Sequence, residues 1–286
     1  MGARGRWRAR AALAVVALGA LAAPGCSLVP VLPLGPPAAG QPAPLVPRED
    51  DDVFGPSEAY VVDEDARLHP SATGRADAIW DLFVRVATPE LAGSRIGRYL
   101  YADDPRSDTY AYVHFEDVEA GRWRLAANGA YADDPELLLG TLVHEYAHVL
   151  SLHTDQYDAV VLTRFETCDT LEADGGCLRE DAWLTDFHEE FWSGYGAAAP
   201  DADDTADAGV RDAFYADHAD DFVSAYAATN VTEDFAETFM TFVLEPNESL
   251  ADPSSSMVAR KLAFLAGIPQ LSAIRDRIRA EFRLGR

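Results

Sequence analysis

The chain has 286 residues, 48% of them hydrophobic, with 23 basic against 48 acidic side chains and a net charge of −25. That apolar content suffices for one sizeable core. The acidic surface excludes nucleic acid as a partner, and its plainest meaning is solubility outside the cell.

Arg4, Arg6, Arg8 and Arg10 precede an apolar run from Ala11 to Ala23, the basic and hydrophobic parts of an export signal. The run is too short to span a bilayer. It ends in Leu21-Ala22-Ala23-Pro24-Gly25-Cys26, which resembles a bacterial lipobox. Residues 1–25 are therefore expected to be removed and Cys26 to carry lipid, placing the protein on the outer face of a bacterial membrane with the lipid as its only membrane contact. Loss of the four arginines takes the net charge from −25 to −29.

Residues 26–52 read as a stiff tether, with prolines at positions 30, 33, 36, 37, 42, 44 and 47. Residues 53–286 then form a single domain. Ile79, Leu82, Phe83 and Val86 recur at helical spacing and predict a helix over Ala76 to Val86. Arg98 to Tyr101, Tyr110 to Phe115 and Arg122 to Ala126 are short aromatic or β-branched runs separated by Asp, Pro and Gly turns. They predict a small antiparallel sheet on a mainly helical body, an α+β fold, with Arg122 to Ala126 as its edge. Cys168 and Cys177, two thiols outside the cell, are expected to form a disulfide around Gly175-Gly176, the alternative being a two-cysteine metal site. Leu178 to Tyr195 reads as an aromatic helix whose Trp183, Phe187, Phe191 and Trp192 belong to the core.

His144-Glu145-Tyr146-Ala147-His148 sets two imidazoles four residues apart on a helix, where they can share a metal ion beside a glutamate. Asp134 caps that helix and Pro135 suits its first position. At about 100° per residue, His144 and His148 lie on one side, while Leu139, Leu142, Tyr146, Val149 and Leu150 gather on the other. Gly140, Thr141, Ala147 and Ser151 flank the histidines and leave room for an ion, a substrate and a second helix. His153 falls on the core side and His218 on the surface. A third ligand is needed for a catalytic zinc site. Downstream, Asn230 or Thr232 can cap a helix on which Glu233 and Glu237 share a face, so that one carboxylate binds metal and the other orients a histidine.

These blocks, His144-Glu-x-x-His148 and then Tyr226, Glu233 and Phe-Ala-Glu237, resemble the gluzincin metallopeptidases, most closely the catalytic domain of anthrax lethal factor. They are also similar to bacterial lipoproteins described as zinc-binding metallopeptidases. The resemblance spans about 30 residues in two blocks. It implies a zincin-like fold, Zn2+ held by His144, His148 and Glu233, Glu145 as general base, Tyr226 as donor to the oxyanion and Glu237 as support for a ligand. The implied substrate is a peptide or protein. A surface lipoprotein that keeps zinc only as structure, and a zinc amidase acting on cell-wall peptide, are the alternative readings.

Overall fold

The computed structural model describes residues 46–117, 120–159, 168–174, 176–200, 208–246 and 253–285, so Cys26 and the export signal lie outside the described residues. Strand β1 (Arg48–Asp51) reverses into β2 (Gly55–Val62) where the Asp51 carboxylate accepts hydrogen bonds from the amides of Val53 and Phe54, at 3.1 and 2.8 Å. Folded structure thus begins inside the expected tether, because Arg48 to Glu58 pair as a hairpin. After β3 (Leu68–His69) come α1 (Gly74–Ala87) and α2 (Pro89–Arg95), separated by Thr88, whose hydroxyl caps α2.

Strands β4 (Ile96–Ala102), β5 (Ala111–Asp117) and β6 (Arg122–Asn128) complete a sheet of order β1-β2-β4-β6-β5, with β3 on β2. The sheet is mixed, which corrects the antiparallel expectation: β4 and β6 run parallel while every other pair is antiparallel. The edge is corrected as well. Arg122 to Ala126 lies inside the sheet, and β5 is the outer strand. Burial explains this, since Trp123, Leu125, Ala126, Ala127 and Asn128 are all buried, as suits a strand covered on both faces. By contrast, β5 borders the sheet and is less buried, with exposed acids, Glu116 and Asp117, at its end. Asn128 is wholly buried and secures the loop between β4 and β5, donating to the carbonyls of Asp104 and Thr109 at 2.8 and 3.2 Å and accepting from the Asp104 amide at 3.0 Å.

One face of the sheet packs against a helical body. Helix α3 (Pro135–Ser151) runs through its centre, between α1 and α6 (Val231–Leu244). The core joins Tyr60 and Tyr99 of the sheet and Trp80 and Phe83 of α1 to Leu142, Tyr146, Phe235 and Phe239. Between α3 and α6 the chain forms a small sheet of β7 (Tyr157–Ala159), β8 (Glu172–Ala173) and β9 (Gly176–Leu178). The Cys168–Cys177 disulfide is present there. Helix α4 (Trp183–Phe191) is shorter than the expected aromatic helix, and Phe187, Phe191 and Trp192 are indeed buried. Helices α5 (Ala208–His218), α7 (Met257–Gly267) and α8 (Pro269–Phe282) complete the body. Among the described residues no single helix is long and apolar enough to cross a membrane.

Helix α8 closes the C-terminal end of α6. The Arg275 guanidinium donates to the carbonyls of Phe242 and Glu245, and Arg279 reaches those of Val243, Leu244 and Glu245. These are the carbonyls a helix leaves unpaired, at its negative end. Arg275 is buried, so Arg275→Met should strand the Phe242 carbonyl, which Arg279 does not reach, and cost about 2 kcal/mol, while the Glu245 carbonyl keeps Arg279 as its donor. Urea unfolding checks this; an unchanged midpoint would show that Arg279 alone suffices.

Candidate metal centre

Helix α3 starts as its sequence dictates: the Asp134 carboxylate accepts from the Leu137 amide at 3.0 Å, with Pro135 at the first position. From there to His144 is nearly three turns, and His148 follows in the last turn of the helix; both histidines are buried. The metal-facing side of α3 is covered by α6 rather than by water. Gly140 permits this approach, because a Cβ there would sit 3.3 Å from Met240 Sδ and 3.6 Å from a Leu244 methyl. Leu139 and Leu150, placed by helical phase among the core residues, are only partly buried.

Helix α6 is capped by Asn230, whose side-chain oxygen accepts from the Glu233 amide at 2.9 Å. Thr232 instead donates its hydroxyl to Asn230 at 2.7 Å. The cap sets Glu233 in the first turn, with its carboxylate over α3. Glu233 Oε2 lies 3.1 Å from His144 Nε2 and 3.4 Å from His148 Nε2, and the two nitrogens are 3.1 Å apart. Three donor atoms on tetrahedral directions about a zinc ion, with bonds of about 2.0–2.1 Å, would be separated by about 3.3–3.4 Å. The triangle therefore already has the size a small divalent cation requires. Glu233 Oε2 is also buried with no hydrogen-bond partner among the described residues. An orphaned carboxylate oxygen against two imidazole nitrogens is the chemistry of a cation site, and His144, His148 and Glu233 could hold a metal ion.

A further layer fixes the ligands. The Glu237 carboxylate accepts from His144 Nδ1 at 2.9 Å, so that in the neutral imidazole Nε2 carries the lone pair, directed toward Glu233. The other oxygen of Glu237 accepts the Ser224 hydroxyl at 2.6 Å, and that same hydroxyl oxygen receives the Ala227 amide at 3.0 Å. Ser224→Ala should loosen Glu237 and weaken metal affinity roughly 10-fold, the lower end of such indirect effects. Competition with a chromogenic chelator measures it, and an unchanged affinity would mean Glu237 is held by His144 alone.

The charges of these side chains lean on one another. Burial disfavours the His144 imidazolium, yet Glu233 and Glu237 outweigh it and raise its pKa well above the ordinary value. Burial likewise opposes ionisation of Glu233, but the two imidazoles hold its carboxyl well below the usual carboxylate range. Glu145 differs. Burial pushes its carboxyl up to about 7 against the pull of both histidines, and its oxygen accepts the Val113 amide of β5 at 3.0 Å. It touches the sheet rather than the ligand triangle, and so is a carboxyl that stands beside the three donors without being one of them.

Tyr226 is 39% exposed, with its ring centroid 5.8 Å from that of His144. The sequence-expected residues His144, Glu145, His148, Tyr226, Glu233 and Glu237 thus meet in one place. His153 stands apart, accepting from the Asp155 amide beyond the end of α3, and His218 packs on Tyr195 and Phe214. Sequence reasoning passed over Ser224 and the Val113 amide. Ser224 carries a faint signal, two residues before the tyrosine in a turn, whereas a backbone amide carries none. No family model, no curated protein and no solved structure matches the chain.

Proposed function

We propose that this protein is a zinc-dependent peptidase, exported and held outside the cell by lipid on Cys26. The observation that supports it most is the position of Glu145, buried beside the His144, His148 and Glu233 triangle yet bonded to the edge strand instead of to the ligands. A purely structural metal site has no use for an acid placed there. The resemblance of the two motif blocks to gluzincins points the same way, and the disulfide suits an oxidising compartment.

His144, His148 and Glu233 would hold the zinc, which when bound supplies the Lewis acidity that activates water and polarises a carbonyl. Glu145 takes the proton from the attacking water and returns it to the departing amine. The Tyr226 hydroxyl, on the exposed side of His144, donates to the oxyanion that develops. Glu237 and Ser224 keep His144 in one tautomer. Substrate would lie extended along β5, the edge strand that meets Glu145, pairing by strand addition.

The test is incubation of the purified mature chain with a peptide library, with and without chelator. About one zinc per chain and cleavage that stops on chelation and returns with zinc are expected. A chain that binds zinc and cleaves no peptide would overturn the peptidase reading in favour of a structural metal.

A further inference from the structure

Lys261 on α7 has no exposed side-chain surface, an unusual fate for an ammonium group. Its Nζ lies 2.6 Å from Asp234 Oδ2, donates to the Asp221 carbonyl at 2.8 Å, and stands 4.0 Å from the centre of the Phe222 ring. Asp234, equally buried, also accepts the Trp192 indole N–H at 2.7 Å on that oxygen and the Thr238 hydroxyl at 3.2 Å on the other. Every oxygen of the carboxylate is thus engaged. Burial drives both charges toward neutrality, up for Asp234 and down for Lys261; their pairing opposes it, helped by the Trp192 and Thr238 hydrogen bonds to Asp234 and by the charge of Asp221 near Lys261. A buried pair of this kind is weak evidence for stability, because apolar residues of like volume often serve as well or better.

Its location gives it another use. Asp234 directly follows Glu233 in the first turn of α6, and Asp221-Phe222 begin the segment that carries Ser224 and Tyr226. The far end of that segment is fastened by the Asn230 cap. Lys261 fastens the near end, holding a carbonyl and a ring of the segment with the same group that grips α6 one residue from Glu233. We infer that Lys261 is a positioning residue: through Asp234, the Asp221 carbonyl and the Phe222 ring it fixes the 221–226 segment, and so Ser224 and Tyr226, against the metal-binding turn. The part of this concerning turnover rests on the peptidase reading; the part concerning the segment does not.

The experiment uses the full mature protein loaded with zinc. Lys261→Met alone leaves Asp234 unpaired and risks unfolding, so the deciding variant is Lys261→Met with Asp234→Asn, which removes both charges and keeps an acceptor for Trp192. Hydrogen exchange followed by mass spectrometry compares peptides covering 221–228 with peptides from α3. Protection of the segment should fall at least roughly 10-fold while α3 is unchanged. Equal protection in parent and double variant overturns the inference whether or not the protein cleaves peptides. Where it does cleave, turnover should fall roughly 10- to 100-fold with little change in KM, as for a displaced catalytic group. Tyr226→Phe, costly in the parent, should then add less than about 3-fold in the double variant, because its hydroxyl is already misplaced. Full additivity of the two losses would reduce Lys261 to a support of the fold and overturn the inference.

Discussion

Glu145→Gln is expected to retain about one zinc per chain and to lower peptide turnover by roughly 10²- to 10⁴-fold, the range for removal of a general base. The amide has the same shape and still accepts the Val113 amide, so the sheet contact and the packing around α3 survive. What disappears is the ability to hold a proton in one step and release it in the next. Metal content by atomic emission and single-turnover kinetics on the same sample separate the two effects. A variant as active as the parent would show that another group carries the proton, and the mechanism would have to be rebuilt from the remaining carboxylates.

Glu233→Ala should act on the opposite quantity. It removes one of three donors that already stand 3.1 to 3.4 Å apart and leaves two imidazoles, so affinity for zinc should drop by well over 100-fold. Glu237→Ala, which loses only the contact to His144 Nδ1, should lose roughly 10- to 100-fold. The order of these two losses is the informative result. Were Glu237→Ala the more damaging, the carboxylates would have exchanged roles, with Glu237 the ligand and Glu233 the support. Equilibrium dialysis against a buffered zinc series measures both, and circular dichroism verifies that each variant folds.

The site was more legible in the sequence than the sheet was. His144, Glu145 and His148 follow from helical arithmetic, since residues four apart must share a face and the Asp134-Pro135 start is unambiguous. Glu233 and Glu237 follow equally once Asn230 is taken as the cap. Their separate duties, ligand for one and support for the other, rested on family resemblance, and the distances agree with that assignment. Strand order was harder, because β4, β5 and β6 are each seven residues of mixed character and local pattern does not say which neighbours which. The run of small and apolar residues from Leu125 to Ala127 suits an interior strand, but so short a run does not by itself exclude an edge. Ser224, the Val113 amide and Lys261 were illegible for a common reason. Each acts on a residue far away in sequence, at separations of 13, 32 and 27 to 40 positions, and none belongs to a periodic pattern.

The insertion of β6 between β4 and β5 bears on the order in which the chain assembles. β5 and β6 are joined by a short turn, so their pairing closes a small loop and belongs to the microsecond events of folding. The parallel register of β4 with β6, by contrast, joins positions such as Ile96 and Trp123 across the whole of β5 and must wait on a larger closure entropy. The hairpin is therefore expected to form first and to dock through its inner strand, with Trp123 and Leu125 as the surface that meets β4. In pulse-labelling during refolding, amides shared by β5 and β6 should gain protection before those shared by β4 and β6, so the chain would acquire its outermost strand before the sheet to which that strand is the border.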